Sequence, residues 1–258
     1  QRKYKKNVRN IFKARPDDIW VLSYPRSVGT TWTQELVWLL SNNLDFKRAK
    51  TELLAERFPF LESKIVYQLI LKKIPSKRFI KSHFPFSLLP NILESGCKII
   101  YIARNPKDVA VSWYYLNKAI KTQGYIGDFT TFWYYFQNNL TWSPYWEHLK
   151  EAWTHRNHPN VLFMFYEEMQ YDFSKAIKKI AKFLGKDYTE EEIKKVERNN
   201  PMVNLSELKK CDIITSGTFV RKGQSNGWKD MFSEELNAKA NKWIEENLKG
   251  NNFSFPYF

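Results

Sequence analysis

The sequence predicts an α/β fold: one domain, spanning residues 1–258, in which helices flank a central parallel sheet. Three observations carry this expectation. Short β-branched or aromatic runs recur along the chain, helical patterns alternate with them, and no Gly/Ser/Pro-rich linker or abrupt change of composition divides the sequence.

The runs are Ile19 to Leu22, Arg78 to Ile80, Lys98 to Ala103 and Val161 to Phe165. Each is almost continuously apolar, as parallel strands covered on both faces require. After the first, Thr33 to Leu40 is apolar nearly all round and reads as a buried helix. After the third, Pro106 suits the first turn of a helix over Lys107 to Leu116, because its missing N–H has no partner there anyway. Tyr145 to Thr154 and Phe173 to Leu184 carry apolar residues at three- and four-residue spacing, and Gly185 closes the second of them. Asn117 to Leu140 and Asn199 to Trp228 show weaker periodicity and are expected to be loops or lids.

Composition bounds the partners. The formal charge of +14 favours anions, although many lysines fall in mixed-charge, solvated faces. Nucleic-acid binding is not expected, since no recognised module or aromatic–basic repeat is present. Cys97 and Cys211 are the only cysteines and lack metal spacing, so neither a disulfide framework nor a zinc site is indicated and a reducing, cytoplasmic setting is expected. The basic arm over residues 1–15 shows no signal peptide, and no run approaches the roughly 18 apolar residues of a membrane span.

In doubly wound sheets ligands sit beyond the carboxyl ends of the strands. That rule gathers four segments on one rim: Tyr24 to Trp32 (YPRSVGTTW), Lys81 to Pro85 (KSHFP), Arg104 with Asn105, and Tyr166 with Glu167. The first is a strand-to-helix loop with a cation, Arg26, and with Gly29, Thr30 and Thr31. Such a turn presents backbone N–H groups and a positive dipole to phosphate or sulfate, although Gly and Thr also serve as ordinary helix caps.

Lys81 and His83 lie two apart and share one side of an extended segment. Together they suit proton abstraction beside a charge-stabilising cation; a surface lysine and a backbone-bonded histidine would read the same way. Arg104 and Ser112 could clamp a phosphate through a guanidinium fork and a hydroxyl, or be a capping arginine and a solvent-facing serine. The basic loop Arg221 to Lys229 adds two adjacent cations and a glycine. Three cationic elements suit a ligand with phosphates at both ends, and Trp32 and Tyr166 offer flat surfaces for its base unless they are core.

In this order the motifs YPRSVGTTW, RFPFLE, KSHFP, YIARNPKDVAVSWYY, YWEHLKEAW, VLFMFYEEM, NPMVN and FVRKG resemble the cytosolic sulfotransferases, over about Phe12 to Lys229. TWTQELVWLL and RFPFLE are most similar to invertebrate members, including the retinol dehydratase branch. The resemblance implies a P-loop-like phosphosulfate loop and the donor 3′-phosphoadenosine 5′-phosphosulfate (PAPS), with adenosine 3′,5′-bisphosphate (PAP) as product and no metal. It implies that Arg26, Ser27, Gly29, Thr30 and Thr31 meet the 5′ end, that Trp32 stacks on adenine, and that His83 is the base with Lys81 and Arg26 as transition-state cations. It further assigns Arg104 and Ser112 to the 3′-phosphate, Tyr166 to the adenine site, and Phe219, Arg221, Lys222 and Gly223 to the last cofactor loop.

A small hydroxyl, phenol or amine acceptor is implied; Phe58, Phe60, Phe84, Phe86, Tyr114, Trp133 and Tyr134 could line its pocket or be core. Two alternatives stand beside sulfation: dehydration through a transient sulfate ester, and a catalytically weak nucleotide- or polyanion-binding protein. The chain departs from the family at four places. Val28 is inserted in the first loop, the serine–phenylalanine motif before NPMVN is absent, and Asn226 and Gly227 replace a glycine and an aspartate. Glu234 breaks the usual dimer signature, so the customary dimer is not assumed.

Overall fold

The computed structural model describes residues 13–27, 29–63, 71, 73–75, 77–89, 91–120, 123–199 and 225–256. The strands are β1 (Ile19–Ser23), β2 (Phe79–Ser82), β3 (Lys98–Ala103) and β4 (Val161–Phe165), all parallel and ordered β2-β1-β3-β4. The four expected runs are these strands. The second extends two residues further than expected, through Ser82, and so delivers Lys81 inside the strand and His83 immediately beyond it.

Alternate residues of each strand enter opposite layers, as the two-residue pleat dictates. Trp20, Leu22, Ile80, Ile99, Tyr101, Phe163 and Phe165 join one core cluster, and Ile19, Val21, Phe79, Ile100, Ile102 and Met164 join the other. The second layer is covered by α1 (Gly29–Ser41) with the short α2 (Phe46–Thr51) and α3 (Leu54–Arg57) beside it. The first is covered by α4 (Pro106–Ala119), α5 (Phe129–Asn138) and α6 (Tyr145–Thr154). After β4 come α7 (Tyr166–Tyr171), α8 (Phe173–Leu184) and α9 (Glu190–Arg198), which pack with α1; α10 (Glu234–Leu248) returns to the α4–α6 side.

One expected loop contains a helix. Within Asn117 to Leu140, α5 begins at Asp128, whose side chain accepts the Thr131 N–H at 2.7 Å, and buries Phe129, Phe132, Trp133 and Phe136 at helical spacing. Aromatic residues are weak helix formers, so here burial overrides propensity. Of the second expected loop, residues 200–224 lie outside the described set.

The starts of β1 and β2 are locked by a buried ion pair. Arg78 donates from Nε and Nη2 to the two oxygens of Asp18 at 2.7 and 2.6 Å, and Nη2 also reaches the Lys13 carbonyl at 2.9 Å. Both side chains are almost wholly enclosed. Removing one partner strands the other charge, so Asp18→Asn should lower the free energy of unfolding by about 3–5 kcal/mol. Urea denaturation measures it, and a loss no larger than that of an exposed pair, under about 1 kcal/mol, would show that the pair does not fasten the sheet.

Candidate active site

The carboxyl ends of the four strands bring together the turn after β1, His83, the Arg104–Asn105 corner and the start of α7. Gly29 opens α1 where the helix comes closest to the sheet: a Cβ there would stand 2.9 Å from both Ile102 and Tyr166 side chains. No acidic residue occupies the first turn of α1, so its dipole favours an anion there, while the Gly29 N–H donates to the Ser27 carbonyl.

Arg26 adopts φ 67°, a left-handed backbone unusual for a side chain of its size. Its Nε donates to Ser112 Oγ on α4 at 3.1 Å. Arg104 lies beside it, with Nη1 donating to the Arg26 carbonyl at 3.4 Å and the guanidinium 4.7 Å from the Tyr166 ring centroid. Burial, and then the charge of Arg104, push the Arg26 pKa down to about 10. Adjacent like charges withdrawn from water favour an anion between them.

Lys81 stands 5.0 Å over the Phe60 ring, and burial lowers its pKa to about 8, against the raising effect of Glu62. His83 Nδ1 lies 2.9 Å from the Ser23 carbonyl. A carbonyl only accepts, so Nδ1 holds the proton and Nε2 keeps its lone pair. Burial first, and then Lys81, hold the ring pKa well below the ordinary imidazole value, so the ring is neutral. Behind it, His148 Nε2 donates to the His83 carbonyl at 3.0 Å, which leaves Nδ1 to accept from the Tyr101 hydroxyl at 2.8 Å.

Other expected residues are used differently. Ser27 Oγ donates to the Tyr24 carbonyl at 2.8 Å, and Thr30 Oγ1 meets Ser23 Oγ at 2.6 Å, so both hydroxyls close the turn on itself. Thr31 is half-buried at the head of α1. One face of Trp32 is covered by Phe173, at 4.5 Å between centroids, and Tyr166 is fully buried beneath Arg104. These two rings are packed supports rather than the open planes the sequence suggested. Val28, Phe219, Arg221, Lys222 and Gly223 lie outside the described residues.

The aromatics expected to line one pocket are not gathered. Phe58 packs on Phe79 in the layer opposite that of Phe84, Phe86 and Tyr114, because α3 turns it under the sheet. Phe86 stacks on Tyr101, Tyr114 sits among Tyr125, Phe129 and Phe132, Trp133 is core, and Tyr134 is 63% exposed. The rings that flank His83 are Phe60 and Trp142, at 5.2 and 6.0 Å. Trp142 gave no signal in the sequence. A cavity of about 330 Å³ whose border includes Leu88, Trp142 and Pro144 but also Glu147, His148 and Glu151 adjoins this side.

Two further supports went unread. Asp108 accepts the N–H groups of Asn226 and Trp228 at 2.9 and 3.1 Å, 4.0 Å from Arg104, while Gln170 accepts from Ser225 N at 2.8 Å. The chain just after Gly223 is thereby pinned to the rim. Asn226 has φ 63°, so where the family has glycine this chain has one of the few other residues that tolerates a left-handed backbone.

A neutral imidazole and clustered cations beside the start of α1 suit an anionic ligand. A family model described as "Sulfotransferase domain" matches residues 16–252, and the chain belongs to the sulfotransferase family, whose members take the sulfuryl group from PAPS. The chain is 38% identical to luciferin sulfotransferase of Photinus pyralis, covering 94% of this chain and 74% of that protein. It is 34% identical to sulfotransferase 1E1 of Bos taurus over 95% of this chain and 88% of that one. Retinol dehydratase solved with androsterone and PAP superposes with a TM-score of 0.90 at 35% identity, covering 100% of this chain and 88% of that one. The same enzyme solved with retinol and PAP gives 0.88 at 36%, covering 99% and 88%.

An anion held beside Lys81 should raise its pKa above about 8, so PAP binding should take up a proton and affinity should fall as pH rises through that value. Calorimetric titration in buffers of different ionisation enthalpy reads this directly. Affinity and proton uptake that stay constant across the window would remove Lys81 from the ligand's surroundings.

Proposed function

We propose that this protein transfers the sulfuryl group of PAPS to the hydroxyl of a small apolar acceptor, with His83 as general base. The observation that carries the reading is the His83 tautomer: the Ser23 carbonyl holds the proton on Nδ1 and leaves Nε2 to receive another. When bound, PAPS supplies the activated sulfur and an adenosine bisphosphate leaving group.

His83 takes the acceptor's proton at Nε2. Arg26 and Lys81 offset the negative charge that gathers toward the leaving side, and the first-turn N–H groups of α1, with Gly29, Thr30 and Thr31, hold the 5′ end. Arg104 and Ser112 hold the 3′-phosphate, Arg26 bridging the two ends through Ser112. Sulfuryl transfer, like phosphoryl transfer, leaves the protein mainly positioning and electrostatics. Phe60 and Trp142 enclose the acceptor oxygen from the apolar side. The family's cytosolic character makes the cytoplasm the expected setting.

Dehydration is the second reading, favoured by the fit to retinol dehydratase. There the same transfer gives an allylic sulfate, which loses sulfate and a neighbouring proton to leave an alkene.

With labelled PAPS and a panel of phenols, steroids and alkanols, His83→Asn should lower turnover by roughly a thousandfold, within the 10²–10⁴ that a positioned base contributes. Unchanged turnover would remove His83 from the chemistry. An allylic alcohol in the same panel separates the two readings, since a stable sulfate ester supports transfer alone and an alkene supports dehydration. Arg104→Ala should weaken PAP far more than adenosine 5′-phosphate; equal losses would mean that Arg104 does not address the 3′ group.

A further inference from the structure

We propose that Glu62 is the positioning residue for His83, its carboxylate completing the backbone ladder that fixes the base and compensating the charge of Lys81.

Residues 59–61 run as a short parallel strip along the outer edge of β2. Lys81 N donates to the Pro59 carbonyl and Leu61 N to the Lys81 carbonyl, each at 2.9 Å. The next rung, from the His83 N–H, has no main-chain acceptor. It is made instead by the side chain of Glu62, whose Oε1 accepts from His83 N at 2.5 Å and from Ser82 Oγ at 3.0 Å. Ser82 Oγ in turn accepts from Phe84 N at 3.0 Å, so one carboxylate oxygen governs three consecutive residues of the KSHFP turn. A rotation of this turn would carry Nδ1 away from the Ser23 carbonyl and release the tautomer.

Ionised Glu62 also faces the Lys81 ammonium on β2. Arg26, from the turn after β1, acts on Lys81 and His83, and neutral His148 on α6 backs His83. Oε2 of Glu62 is enclosed without a hydrogen-bond partner among the described residues. Burial raises the carboxyl to about 7, against His83 N–H, Ser82 and Lys81, all of which lower it. The ionised form therefore prevails above pH 7 and the neutral one below, whereas the pKa of His83 itself lies well under that window.

This inference rests on His83 being the base, and the experiment separates the two claims. Sulfate transfer by the full chain is measured for wild type, Glu62→Gln, Glu62→Ala and His83→Asn at one pH unit either side of 7, alongside PAP titration. Wild-type turnover should rise across this window. Glu62→Gln, which keeps the acceptor oxygen without the charge, should be flat at the acid-side level, and Glu62→Ala should lose roughly 10- to 100-fold on the alkaline side, the scale of a slightly misplaced group. At the acid-side pH, where Glu62 is neutral and Lys81 is charged, PAP affinity should be unchanged in both Glu62 variants.

A Gln variant that keeps the wild-type acid limb, an Ala variant with wild-type turnover, or a loss of PAP affinity at the acid-side pH in either Glu62 variant would each overturn the inference. Where His83→Asn is inactive in the same series, such a result sinks the role of Glu62 alone; an active His83→Asn sinks the base itself.

Discussion

The rim of this molecule is organised around a hydrogen bond between neighbouring strands, from His83 Nδ1 to the Ser23 carbonyl. It exists because β1 and β2 are parallel and paired Leu22 with Ser82, so that the next residue of each, one at a strand end and one just past it, face each other beyond the ladder. An imidazole in solution interchanges its tautomers; this one is committed by main chain that the sheet itself makes rigid. The second sphere follows from that commitment, since His148 and Tyr101 hold the carbonyl of the same residue from behind.

Three carboxylates surround the cations of the rim, and each is engaged with main chain. Glu62 takes the N–H of His83, Glu167 that of Asn105 at 2.8 Å, and Asp108 those of Asn226 and Trp228. Burial lifts Glu62 and Glu167 alike to about 7. Acidic residues here shape the segments that carry the positive groups, while Arg26 and Arg104 press against one another with Asp108 no nearer than 4.0 Å to Arg104. The site is thus electropositive and stiff at once, which suits electrostatic stabilisation that needs no rearrangement during reaction.

The sheet was legible because its strands are buried on both faces and so leave continuous apolar runs, and because strand ends place polar residues by rule. His83, Lys81, Arg104 and the turn after β1 were readable for that reason. The helix α5 was not, since its aromatic residues favour strands in isolation and only burial makes them helical. The capping box at Thr189 and Glu192 that starts α9 was present in the sequence and would have marked that helix. Phe58, Trp32 and Tyr166 show the limit of reading aromatics: ring type says nothing about which layer receives the ring. Glu62 acts on a residue 21 positions away through a pairing that no local pattern encodes.

The staple between α10 and the rim bears on how the protein is made. Lys107, in the first turn of α4, buries its ammonium 4.0 Å from the Trp228 ring and donates to Asn237 and Asn241 on α10, at 2.7 and 2.5 Å and across 130 and 134 residues of chain. During synthesis the sheet and the turn after β1 are made before these asparagines exist. The nascent chain must therefore hold a charged, half-built pocket while the residues between β4 and α10 are added, and the Lys107 staple closes only once α10 has emerged.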